Sequence, residues 1–105
     1  MRFTSYLDNG KLTIELTGEI DHHSAKEYMC SIIGKIEAYT PHLCVLDFQQ
    51  VTFMDSSGIA VVINALRHMT KVNGTLMLCG LREQPKKVFI ASGVDKLVQI
   101  QEGVK

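Results

Sequence analysis

The chain has no tryptophan and only two prolines, Pro41 and Pro85. Proline breaks helices and central strands, so most of the sequence is open to regular structure and these two residues mark boundaries. Charge of one sign is missing too: eleven Lys and Arg balance eleven Asp and Glu. Without a net field, or a basic cluster with interleaved aromatics, direct DNA or RNA binding is not expected. No apolar run approaches the ~20 residues of a membrane span, and Met1-Arg2-Phe3 leads straight into strand-like sequence without a signal-peptide pattern. The expectation is a cytoplasmic protein with no membrane partner. The three cysteines, Cys30, Cys44 and Cys79, are odd in number and widely spaced, which argues against a disulfide framework or a zinc site. Cys44 and Cys79 lie in apolar runs and read as small buried hydrophobes, whereas Cys30 reads as a partly exposed helix residue. Repeats, linkers and low-complexity segments are also lacking.

What remains is a strongly patterned chain of 105 residues, room for one domain over residues 1–105. That length buries roughly two-thirds of the unfolded surface without metal or disulfide support. Phe3 to Leu7 and Leu12 to Leu16 flank Asp8-Asn9-Gly10-Lys11, and Asn-Gly between alternating runs predicts an antiparallel hairpin with a type I′ turn. A helical stripe follows Asp21-His22-His23-Ser24, through Ala25, Tyr28 or Met29, Ile32, Ile36 and Tyr39, and stops before Pro41. His42 to Phe48 reads as a central parallel strand buried on both faces, broken by Gln49 and Gln50. A second helix follows Asp55, its core face Ile59, Val62, Ile63, Leu66 and Met69, and Asn73-Gly74 ends it. Thr75 to Cys79 is another buried strand. Pro85 opens a short helix carrying Val88, Phe89 and Ser92, Gly93 closes it, and Leu97 to Ile100 form a last strand.

The order β-β-α-β-α-β-α-β predicts an α/β domain with a mixed sheet, mostly parallel with an antiparallel N-terminal hairpin. Loops after adjacent parallel strands leave at the same carboxyl edge, so Asp21 to Ser24 and Asp55 to Gly58 are expected to be neighbours. Asp55 stands where an N-cap belongs, accepting from the N–H of Ser57 or Gly58, and Ser56 and Ser57 fall in the first helical turn. Unpaired amides and the positive end of the helix dipole would welcome an oxyanion there.

Three separately placed motifs, Gly18-Glu-Ile-Asp-His-His-Ser-Ala25, Phe53-Met-Asp-Ser-Ser-Gly-Ile-Ala-Val-Val62 and Phe89-Ile-Ala-Ser-Gly-Val-Asp-Lys-Leu97, resemble a STAS domain of the bacterial anti-sigma factor antagonist family, closest to the sporulation type. The resemblance covers nearly the whole chain. It implies that Ser56, the first serine of the Asp-Ser-Ser-Gly run, is phosphorylated, and that Asp21, His22, His23, Asp55, Ser56, Ser57 and Gly58 form a partner surface around it. The implied partners are an anti-sigma factor that is itself a serine kinase and a metal-dependent serine phosphatase. A homodimer is left open. Unmodified, such a domain captures the anti-sigma factor and frees its sigma factor, in sporulation or in stress; phosphorylation turns capture off. Two departures stand out. Relatives commonly continue into a further C-terminal helix, so this chain is truncated, naturally short, or shielded there by a partner or a second copy. Ala60 also stands where many relatives have glycine, a change that favours the helix.

Other chemistries fit less well. A receiver-type aspartate needs an acidic metal cluster, and only Asp47 and Asp55 are close in sequence. A hydrolase needs a G-x-S-x-G elbow and a third residue to orient His22 or His23, and neither is evident. His22 and His23 are adjacent, lack an H-x-x-x-H pattern or a cysteine pair, and are read as loop and partner contacts rather than metal ligands. The chain is therefore expected to be no enzyme and to need no cofactor. The alternative from another class is a STAS module that holds an anion or nucleotide, or acts as a scaffold, without phosphorylation; the sequence lacks the phosphate-cradling glycine loop this would use.

Overall fold

The computed structural model describes residues 2–101. Strand β1 (Arg2–Asp8) and strand β2 (Lys11–Ile20) pair antiparallel across Asn9-Gly10. Both turn residues have positive φ, 52° and 81°, the pair of left-handed conformations a type I′ turn requires. Helix α1 (Ala25–Tyr39), strand β3 (Leu43–Met54), helix α2 (Ser57–Lys71), strand β4 (Thr75–Cys79), helix α3 (Glu83–Ser92), a 3-10 turn at Val94–Lys96 and strand β5 (Gln99–Gln101) follow. The sheet runs β1-β2-β3-β4-β5, parallel at every pairing after the first. This is the α/β order read from the sequence, with the 3-10 turn added.

Register and alternation explain where the core lies. Leu12, Ile14 and Leu16 of β2 stand beside Cys44, Leu46 and Phe48 of β3 and Leu76 and Leu78 of β4, all on one face. Tyr28, Ile32 and Ile36 of α1, Val61, Val62, Ala65 and Met69 of α2, and Phe89 of α3 pack onto that face. Phe89 meets Phe48 edge-on at 5.6 Å, which anchors α3 to the central strand. The Tyr28 hydroxyl, carried into the core by its ring, donates to the Thr17 carbonyl at 2.7 Å. The opposite face carries the polar alternates, Thr13, Glu15 and Thr17 on β2 and Asp47 on β3.

Several boundaries differ from those read in the sequence. β3 does not stop at Phe48: it continues to Met54, because β2 also runs on to Ile20 and the two stay paired through two register shifts. Gln49 and Gln50 are exposed while Val51 and Met54 are buried, so the polar pair lies within the strand and does not break it. Tyr39, assigned to the buried stripe, is 49% exposed at the end of α1. On α2 the buried line is Val61, Val62, Ala65 and Met69, with Ile59, Ile63 and Leu66 on its margin. Cys79 is half-buried rather than buried, while Cys30 is exposed as expected. Leu97 precedes the last strand: its N–H still bonds the Val94 carbonyl at 2.8 Å, and β5 begins at Gln99.

Helix ends follow local chemistry. Asn73, at φ 61°, takes the left-handed position after α2, with Asn73 N–H bonding Thr70 O and Gly74 N–H bonding Met69 O at 2.8 Å, the two bonds of a Schellman stop. Pro85 is buried in the first turn of α3, and Gly93 closes that helix at φ 84°.

Candidate functional site

The carboxyl ends of β2 and β3 lie side by side, with Ile20 opposite Met54. The Asp55 N–H donates to the Ile20 carbonyl at 3.0 Å, so the two loops that follow these strands start from one stitched edge. Residues Asp21 to Ser24 and Asp55 to Gly58 are neighbours, as the topology requires.

The first loop is held by Asp21. Its carboxylate Oδ1 accepts the N–H groups of His23 and Ser24, both at 3.0 Å. Ser24 replies, its Oγ accepting the Asp21 N–H at 3.1 Å and donating to the Glu19 carbonyl at 3.0 Å. These reciprocal bonds work as a capping box does, one turn ahead of α1. The amide of Ser24 above all holds the Asp21 carboxyl below its ordinary value; burial opposes it, and the amide of His23 adds to it more weakly. His22 and His23 are both exposed, and their rings lie against each other with centroids 4.0 Å apart, tilted by 37°. Among the described residues no group of His, Cys, Asp and Glu is arranged to hold a metal ion.

The second loop is shorter than the sequence suggests. Only Asp55 and Ser56 join β3 to α2, because β3 reaches Met54 and α2 starts at Ser57. The Asp55 Oδ1 accepts the Ser57 N–H at 2.8 Å, its carbonyl accepts the Gly58 N–H at 3.1 Å, and the Ser56 carbonyl accepts the Ile59 N–H at 3.1 Å. The capping bond thus comes from Asp55, while the residue in the cap position is Ser56. Ser56 is exposed, with helical φ and ψ of −65° and −15°, and its side chain makes no capping bond. The expectation of unpaired amides at this helix start is corrected: Asp55 and Ser56 already occupy those of Ser57, Gly58 and Ile59. An oxyanion on Ser56 would therefore stand in solvent, not in a nest of N–H groups.

Ser57 is half-buried. Gly58, expected in the partner surface, is buried, and a Cβ there would land on the Met54 side chain, so its role is to let α2 sit directly on the end of β3. Phe53, not singled out in the sequence, is 41% exposed beside the same edge. Two further residues were invisible as site residues. Arg82 Nε donates to the Gln49 carbonyl at 2.8 Å, and Gln84 bonds both backbone groups of Met54, from 30 positions away in sequence. No local pattern marks a glutamine in a first helical turn as reaching so far.

A cavity of about 130 Å³ is lined by Glu15, Leu16, Thr17, Asp47, Gln49 and Gln50, where β2 and β3 lose register. Its two carboxylates give it the wrong sign to hold an anion or nucleotide phosphate. Cys44, the buried thiol of the core, has its pKa pushed up to about 12 by burial and is no nucleophile.

Comparison with known proteins agrees with this architecture. The STAS domain family matches residues 4–105. An anti-sigma F factor antagonist of Lysinibacillus sphaericus is 31% identical over 83 residues, 79% of this chain and 71% of its own length. The anti-sigma factor antagonist SpoIIAA in its unphosphorylated form overlays with a TM-score of 0.73 at 24% identity, covering 98% of this chain and 90% of that one. The Bacillus cell fate determinant SpoIIAA in its phosphorylated form overlays at 0.72 with 27% identity, covering 95% and 91%. With the strand order, the hairpin and the Asp55-Ser56 corner all in hand, the chain belongs to the STAS domain family.

Proposed function

We propose that this domain is an anti-sigma factor antagonist, a protein-binding switch set by phosphate on Ser56. Unmodified, it captures an anti-sigma factor and so releases the sigma factor held by it. That anti-sigma factor is also the kinase for Ser56, and a metal-dependent serine phosphatase resets the switch. The domain supplies no catalytic group of its own; it is the substrate of both enzymes and works in the cytoplasm, in a sporulation or stress pathway.

The observation that carries this reading is the exposed Ser56 hydroxyl on a backbone corner whose own amides are satisfied by Asp55 and Ser56. A kinase needs an accessible hydroxyl in a defined frame, and this corner offers both. Asp21, His22, His23, Asp55 and Ser57 surround or support it and complete the partner surface. Phosphorylation adds about −1.5 to −2 charges. Interaction with the helix start returns only ~0.3–1 kcal/mol, so the fold gains little from the phosphate. At an interface the same charge, facing an unprepared partner, costs about 2–5 kcal/mol. Binding loses far more than folding. The relatives named anti-sigma factor antagonists support the partner class, and the overlap with SpoIIAA in its phosphorylated form, at 27% identity, supports the reading that a domain of this kind carries a phosphate.

The test is to incubate the chain with ATP, magnesium and the ATPase-type anti-sigma factor encoded beside it, and map the product by mass spectrometry. One phosphate on Ser56, absent from Ser56→Ala, is expected. Label that persists in Ser56→Ala, whether on Ser57 or elsewhere, would overturn the assignment.

A further inference from the structure

β4 ends at Cys79, opposite Asp47, while β3 continues to Met54. Along this upper stretch β3 has β2 on one side and, among the described residues, no strand on the other, an open edge of the sheet. The segment after β4 closes that edge with side chains. Arg82 takes the Gln49 carbonyl. Gln84, in the first turn of α3, accepts the Met54 N–H with Oε1 at 2.8 Å and donates Nε2–H to the Met54 carbonyl at 2.9 Å. One primary amide thus does for Met54 what a neighbouring strand would do, giving and receiving at once.

Met54 is the last residue of β3 and stands two before Ser56. Its neighbours fix it from every side. The Asp55 N–H holds the Ile20 carbonyl on the β2 side, Gln84 holds Met54 on the other, and the Met54 side chain is fully buried under Gly58 of α2. Removing Gln84 leaves β2 and α2 in place but frees one side of the strand end from which Ser56 projects. Neither close analogue replaces it. Glutamate at neutral pH sets a carboxylate against the Met54 carbonyl, and asparagine is one methylene short.

We propose that Gln84 is a positioning residue of the switch: by clamping both backbone groups of Met54 it fixes the corner that presents Ser56 to the kinase and to the binding partner. This rests on the reading of Ser56 as phospho-acceptor given above. It adds that the N-terminal turn of α3 belongs to the functional unit although it carries none of the modified chemistry.

The test compares full-length wild type, Gln84→Met, which keeps stem length without hydrogen bonds, and Gln84→Glu. Amide hydrogen exchange by NMR and the rate of Ser56 phosphorylation by the neighbouring-gene anti-sigma kinase are measured together. In Gln84→Met, exchange should rise at least about tenfold at Met54 and stay near wild type in the centres of α1 and β4, as for a local opening. Phosphorylation should slow by about tenfold or more, mainly in kcat, because the hydroxyl is still reachable but misplaced. In Gln84→Glu the Met54 amide resonance should titrate with the new carboxyl, a signature absent from wild type. Should Gln84→Met not fold, Gln84→Glu carries both measurements. A wild-type phosphorylation rate in the variants overturns the positioning role while Ser56 modification stands. A uniform rise in exchange throughout the core overturns it too, since Gln84 would then serve only stability. Wild type that takes no phosphate at Ser56 removes the reading beneath the proposal and the proposal with it.

Discussion

At the scale of single residues, the two loops at the carboxyl edge are built by aspartates that do the same job in different ways. Asp21 folds its own loop by accepting two amides, and Asp55 closes the start of α2 by accepting the Ser57 N–H. Because the amide of Ser24 above all holds the Asp21 carboxyl below its usual value, the charged form is favoured by the folded state. Its contribution is complete above the unfolded value of about 3.9 and is lost as pH falls through the lower folded value. Thermal unfolding followed from neutral pH into acid should show wild type above Asp21→Ala at pH 6, with the gap closing as Asp21 protonates. A gap that is constant to pH 2 would mean that the carboxylate is not what holds the loop. The capping role of Asp55 was legible in the sequence, since a short polar side chain before a helical stripe has few other uses. Gln84 was not, because its bonds to Met54 cross the domain and leave no trace in neighbouring residues.

At the scale of elements, the central feature is the length of β3 and its direct abutment on α2. The polar run Gln49-Gln50 looked like a strand end, and the true end lies at Met54 because β2 continues alongside through two register shifts. Only tertiary pairing extends a strand through two glutamines, so no periodicity could reveal it. The core line of α2 was similarly shifted: Val61 and Ala65 are buried because small side chains let the helix approach the sheet, whereas larger Ile59, Ile63 and Leu66 flank them. Gly58 belongs to the same argument. Alanine there gains up to about 1 kcal/mol in helix propensity, yet its methyl collides with Met54, which is fully buried and has little room to yield. Gly58→Ala is expected to destabilise by about 1–2 kcal/mol net, read from chemical denaturation, and to disturb the Ser56 corner. A stabilised Gly58→Ala protein would show that Met54 adapts freely, and would weaken the view of a rigid seat beneath Ser56.

At the scale of the whole molecule, the core faces of β2, β3 and β4 and the buried sides of α1, α2 and α3 form one continuous cluster, while the exposed Ser56 corner lies outside it. Under the proposed switch, that separation would let a charge be added without cost to the core, because Ser56 is exposed. The topology was readable from the hairpin turn, the alternation of strands and helices and the right-handed crossover rule. The rim geometry followed from it, since adjacent parallel strands must deliver their loops to one edge. What the sequence did not disclose was the occupation of the helix-start amides by Asp55 and Ser56, which would leave the proposed phosphate in solvent, where it can repel. The most direct test of the central claim is calorimetric titration of the anti-sigma partner with unmodified and Ser56-phosphorylated domain. The account predicts affinity lower by at least about thirtyfold for the phosphorylated form, the equivalent of ~2 kcal/mol or more at the interface. Equal affinity of the two forms would contradict it.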